Sequence, residues 1–186
     1  MKKRGYTLVE IMVGVALFMI ILAAPVSFFV GSLKAQQKVL FSQQLLDNIS
    51  YSSEYISRAL RMAKKDVNGI CITSKKNYEL TREGAGIKFL NYHDVCQEFY
   101  WDSVASPRRL QEVENSVTLP LTSDDLDVVS FKIGPVDEDG WGQLDDKQPK
   151  VTLYLEVKGV KSKRAELQPE IKIQTTISQR NLDIEI

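Results

Sequence analysis

The sequence predicts an α+β protein: one long N-terminal helix, then antiparallel β-sheet packed on the helix's second half. Three observations predict it. From Ile11 to Leu33 there is no ionisable side chain. From Lys34 to Asn68 there is no glycine or proline. After Gly69 the apolar period changes from helical to two.

The first element is the stretch Met1–Val30, MKKRGYTLVEIMVGVALFMIILAAPVSFFV. A run of about 20 apolar residues crosses a bilayer as a helix. Lys2, Lys3 and Arg4 precede it, and such residues hold an N-terminus on the cytoplasmic side. Everything after Lys34 is then expected on the far side. Glu10 is the one early charge, and a carboxylate near the end of a membrane helix needs water, a partner or a role. Pro25 removes a backbone hydrogen bond and predicts a kink near Met19–Leu22. Gly14, Ala16, Ala23 and Ala24 would let another helix approach closely, or are ordinary membrane-helix residues.

The second element continues the helix. Leu45, Ile49, Ile56, Leu60, Ala63 and Val67 recur at helical spacings, while Gln36, Gln37, Gln43, Gln44, Asn48, Arg58, Arg61, Lys64 and Lys65 lie mostly elsewhere. That is the pattern of a helix laid on a core. Lys64 and Lys65 suit the negative end of the helix dipole, and Asn68-Gly69 is a stop. The expectation is one helix of about 60 residues, roughly 90 Å long.

The remaining elements are strands. Ile70–Thr73, Tyr78–Thr81 and Ile87–Tyr92 read as short ones, with Glu83-Gly84-Ala85-Gly86 as a turn. Val95–Asp102, Arg109–Glu114 and a short piece at Ser116–Thr118 follow. The clearest are Leu126–Ile133, Lys150–Val160 and Glu170–Ile177. Their alternating sets include Val151, Leu153, Leu155 and Val157, then Ile171, Ile173, Thr175 and Ile177. Polar loops at Gly134–Pro149 and Gly159–Pro169 join these last three. No repeat, low-complexity linker or second globular domain is evident.

The opening K-K-R-G-Y-T-L-V-E resembles the class III signal of type IV pilins and of the pseudopilins of type II secretion. The resemblance is specific over Lys2–Pro25. It implies a leader, residues 1–5, cut after Gly5 by a prepilin peptidase that then methylates the new N-terminus, Tyr6. The family has Phe after the cut; Tyr6 is also aromatic, so cleavage is expected to survive. The resemblance further implies that Glu10 assists assembly by pairing with the N-terminal amine of a neighbouring subunit. The physical logic is consistent. Gly5 leaves the backbone open to an enzyme. Glu10 stands one helical turn from the new amine. Two opposite charges in a poorly hydrated place attract strongly and are costly apart. A conventional secretory cut would need small residues after the apolar core; Ala23–Ala24 is a poor match, with Leu22 before and Pro25 after. An uncut anchor predicts the same topology but no reason for Gly-Tyr-Thr-Leu-Val-Glu.

Under this resemblance the segments are a leader at 1–5, a transmembrane and filament-core helix at 6–33, and an extracytoplasmic pilin-like head at 34–186 (helix 34–67, β-rich 69–186). The ending Gln174–Leu182 looks like the last strand of the larger minor subunits, the J/W type, thought to initiate assembly near the tip. Glu10 argues against the tip-most type, which usually lacks it. Implied partners are the prepilin peptidase, other major and minor pilins, the inner-membrane assembly platform and the membrane itself. Implied location is the cytoplasmic (inner) membrane, single-pass, N-in and C-out, then an extracytoplasmic filament. The alternative is an adhesin or DNA-uptake pilin whose head binds a surface or ligand.

Size and charge bound these readings. Of 186 residues, about 150 remain after a membrane helix, enough for one core. There are 24 basic and 24 acidic residues. Loss of Lys2, Lys3 and Arg4 makes the chain slightly acidic, so no direct contact with nucleic acid is expected. Cys71 and Cys96 fall in the part expected outside the cytoplasm. An even count there favours a bridge, worth about 3 kcal/mol by loop closure; two buried thiols are the alternative.

No constellation for catalysis is expected. His93 is the sole histidine, which leaves no triad and no two-histidine metal site; beside Cys96 it lies in an expected turn. Asp137, Asp139 and Gly140 resemble the start of a calcium loop, but Asp146 stands where a bidentate Glu belongs, so a solvated hairpin loop is expected and no metal or cofactor is assigned. Asp124, Asp125 and Asp127 read as a turn before a strand. Phe99-Tyr100-Trp101 reads as core rather than as a binding patch.

Overall fold

The computed structural model describes residues 5–142, 147–160 and 168–180. The expectations for Lys2–Arg4, for Asp146 and for the chain end at Leu182 lie outside the described residues. Contacts divide the chain into two units, Met1–Leu40 and Phe41–Ile186.

The first unit is helical. Helix α1 spans Leu8–Arg61 and runs unbroken through Pro25. Its residues up to Leu40 form this unit. The Thr7 hydroxyl accepts the Glu10 backbone N–H at 3.3 Å, the bond of an N-cap residue to the third helical position. Thr7 ends the non-helical lead-in for that reason.

The second unit holds residues 41–61 of α1 and eight strands. β1 (Glu79–Thr81), β2 (Gly86–Leu90), β3 (Cys96–Asp102), β4 (Arg109–Glu114) and β5 (Val117–Pro120) form a five-stranded antiparallel sheet in chain order. β6 (Leu126–Gly134), β7 (Lys150–Gly159) and β8 (Glu170–Ser178) form a second antiparallel sheet, also in chain order. The α+β expectation is therefore met. The register Ile87↔Phe99 sets apolar residues of β2 and β3 side by side. In β6, Val128 faces Val157 and Ser130 faces Glu156, so Val129 is an extra residue, a bulge. That bulge shifts the inward set from Leu126 and Val128 to Phe131 and Ile133.

The core joins the helix face to both sheets. Leu45, Ile49, Ile56, Leu60 and Ala63 are buried against Ile87, Phe89, Phe99, Leu110 and the inward residues of β6 and β7. Ser52 fills the gap between Ile49 and Ile56, and its hydroxyl donates to the Leu121 carbonyl at 2.7 Å. Phe99 is fully buried and Trp101 packs on the core, as the strand reading had it.

Two expectations are corrected. The helix of the head ends at Arg61, not at Val67, and Val67 is exposed. The cause is long-range. The Tyr78 hydroxyl donates to the Leu60 carbonyl at 2.6 Å, the Arg180 N–H to the Arg61 carbonyl at 2.8 Å, and Gln179 Nε2 to the Ala63 carbonyl at 2.5 Å. Beyond them Lys64 N–H bonds Leu90 and Asp66 N–H bonds Lys76, not the preceding helical turn. A helix terminus whose carbonyls find outside donors needs no further turn. Second, Ile70–Thr73 is not a strand, so Cys71 lies in a loop while Cys96 opens β3. The N–H groups of Ile70, Cys71 and Ile72 donate to the Asp66 carboxylate and cannot also serve a sheet ladder.

Candidate functional site

The candidate site is the start of the chain and the helix it opens. Tyr6 is 80 % exposed, and Glu10 lies exposed in the first helical turn. A carboxylate there suits the positive end of the helix dipole, which accounts for its position but not for its chemistry. No atom lies within 4 Å of the Cβ positions that Gly5, Gly14 and Gly31 would carry. Among the described residues, no packing contact requires glycine at these three places.

Among the described residues of the first unit almost nothing is buried. The most apolar window of α1 has a mean hydropathy of 2.6, and none of it is buried. Phe18, Ile20, Ile21, Phe28 and Phe29 are among the side chains standing free. Water does not tolerate a surface of this kind; a membrane or other apolar helices must cover it. By length and composition α1 is able to cross a bilayer.

The head places the other residues singled out above. Cys71 and Cys96 form a disulfide, with Cα atoms 5.3 Å apart. Cys96 therefore offers no thiol to His93, which sits in a surface turn with its ring against Tyr92. The Asp137–Gly140 loop is committed to structure. Both Asp139 oxygens accept from Lys147 at 2.7 Å. Glu138 pairs with Lys76 and accepts the Leu80 N–H at 2.8 Å. Trp141 is fully buried, and its indole N–H donates to the Lys150 carbonyl at 2.7 Å. The loop that reads as a solvated hairpin is thus plugged into the core by one indole. Among the described residues there is no group of three or more His, Cys, Asp or Glu side chains fit to hold a metal.

Asp127 does more than close a turn. Arg108 donates to it through Nε at 2.9 Å, Nη2 at 2.6 Å and the backbone N–H at 3.0 Å. The guanidinium holds the Asp127 carboxyl below its ordinary 3.8. This pair ties the start of β4 to β6, where Val128 N–H also bonds the Arg108 carbonyl. Sequence reasoning missed this pair and Asp66; neither has a local motif, and only the fold brings their partners near.

The first unit is an exposed apolar helix, and the second is an α+β unit. Residues 1–24 match the family model of the prokaryotic N-terminal methylation motif. The N-terminal segment is thus of the type IV pilin-like kind, and pilin-type processing of the precursor goes with that motif. No curated protein and no solved structure gives a significant match to the chain.

Proposed function

We propose that this chain is a structural subunit, a minor pilin or pseudopilin, processed by prepilin peptidase and built into a type IV pilus-like or type II secretion filament. The observation that carries the reading is the coincidence of the methylation motif with a helix whose most apolar window has none of its residues buried among the described residues. The helix serves first as a single-pass anchor, N-in and C-out, in the inner membrane. Other pilin helices cover it after assembly, and the open faces at Gly14 and Gly31 allow their close approach.

In this reading the peptidase cuts between Gly5 and Tyr6. Gly5 is bare because an enzyme, not the fold, needs the space. Tyr6 becomes the N-terminus and is methylated on its amine. The Glu10 carboxylate pairs with the amine of a neighbouring subunit, and the attraction offsets part of the desolvation cost that either charge would bear alone. The likeness of the ending Gln174–Leu182 to the last strand of the larger, J/W-type minor subunits supports a place in the initiating complex. The test is replacement of Gly5 in the native host. Blocked maturation, with the leader retained, is the expected result; a precursor still shortened by Met1–Gly5 overturns the assignment.

A further inference from the structure

We infer that Asp66 is the positioning residue of the Cys71–Cys96 disulfide: its carboxylate builds the loop that presents Cys71, so the bridge locks that loop and does not shape it. Asp66 is 1 % exposed. Its Oδ1 accepts the Ile70 N–H at 3.0 Å, and its Oδ2 accepts the Cys71 N–H at 2.6 Å and the Ile72 N–H at 3.0 Å. A buried carboxylate held by amide donors forms charge-assisted bonds, stronger than neutral ones. Burial alone would raise this carboxyl; the amides of Ile72, Cys71, Ile70 and Gly69 outweigh it and hold it below 3.8.

The loop closes on itself without either sulfur. Asp66 N–H donates to the Lys76 carbonyl at 3.0 Å, and Lys75 N–H to the Asp66 carbonyl at 2.7 Å. The Ser74 hydroxyl donates to the Val67 carbonyl at 2.8 Å. Gly69 turns the chain at φ +69°, with Ser74 3.3 Å from where a Cβ would stand. Ile72, beside Cys71, is buried and pins the loop.

Cys96 is fixed just as independently. It is the first residue of β3 and faces Leu90 of β2. The Leu90 carbonyl also receives the Lys64 N–H at 2.9 Å, two residues before Asp66. Leu90 therefore anchors both the strand that carries Cys96 and the segment that leads to Asp66. Cys71 Sγ lies 3.3 Å from the Phe89 carbonyl oxygen, over β2, the neighbour of the strand that carries Cys96. The two thiols meet because a carboxylate and a strand register hold their backbones in place.

The chemistry is exchange with a disulfide oxidant. One cysteine thiolate attacks the oxidant and releases a thiol. The second thiolate attacks the mixed disulfide and releases another. Two protons and two electrons leave the cysteines, and the oxidant is reduced to two thiols. Asp66 takes no part in the transfer; it raises the concentration at which one thiol meets the other. The inference stands whether or not the N-terminal segment is processed.

The test uses the full chain in detergent micelles. The reduced protein is equilibrated with oxidised and reduced glutathione, which gives the effective concentration of the cysteine pair. Asp66→Ala should lower it by roughly tenfold or more, the loss expected for two or three charge-assisted bonds, and Asp66→Asn by less. An unchanged value overturns the inference. A second measurement leaves Asp66 intact. In the Cys71→Ser, Cys96→Ser variant, the backbone amides at positions 70, 71 and 72 should still exchange slowly with deuterium. Exchange there at the rate of the denatured chain would mean that the bridge makes the loop, and the inference would fail.

Discussion

The Thr7 hydroxyl holds the Glu10 backbone N–H at 3.3 Å and leaves the Glu10 side chain in the first turn of α1, exposed. The helix start is therefore secured through the Glu10 backbone, and the carboxylate is available to a partner outside the chain. Thr7→Ala should fray the first turn at a cost of about 1 kcal/mol, seen as faster deuterium exchange at Val9–Ile11. Unchanged exchange there would remove the capping role.

Glu10→Ala keeps that backbone bond. Membrane insertion should be unchanged, since the apolar run after Glu10 is untouched, while incorporation into sheared filaments should fall sharply. Fractionation of membranes and filaments separates the two. Normal incorporation would remove the pairing role.

Trp141→Ala should destabilise the head by on the order of 3–5 kcal/mol, because a fully buried indole leaves a cavity and an unpartnered Lys150 carbonyl. Asp139→Asn, at the exposed Lys147 pair, should change stability little. Chemical denaturation of the two variants checks the contrast. Equal effects would contradict the view of this loop as a structural plug.

Acid should weaken the Arg108–Asp127 tie. The folded Asp127 carboxyl lies below its ordinary 3.8, so its contribution is full above that pH and fades as pH falls through the folded value. Asp127→Asn should be less stable than the parent near neutrality, and the gap should shrink below pH 3.8. Denaturant midpoints measured across this range decide it; a gap constant with pH would mean the carboxylate charge is irrelevant.

Gln179→Ala should cost about 1 kcal/mol, because a buried hydrogen bond to the Ala63 carbonyl is lost. Denaturation midpoints give the loss, and exchange at Met62 and Ala63 should rise with it.

What was legible in the sequence follows from the range of the forces involved. The membrane half of α1 needs only the absence of ionisable side chains between Ile11 and Leu33, a property of one stretch. β7 is legible because Val151, Leu153, Leu155 and Val157 alternate and all end up buried or nearly so. The bulge at Val129 goes unread: Leu126–Ile133 reads as a plain strand, and only the pairing with β7 exposes the one-residue slip between Leu126/Val128 and Phe131/Ile133. The end of the helix is not written locally. It depends on Gln179, 116 residues away from Ala63. The alternation at Ile70–Thr73 was misleading because a buried carboxylate competes with a sheet for the same amides. At the candidate site, Gly5, Tyr6 and Glu10 are legible as a motif, and their roles belong to contacts with other molecules.

The most direct test of the account is the intact mass of the protein recovered from its native membrane. The expected product is a chain lacking Met1–Gly5 and carrying one methyl group on the amine of Tyr6. A chain that retains the leader, or one cut beyond the apolar run near Ala23–Ala24, would contradict it.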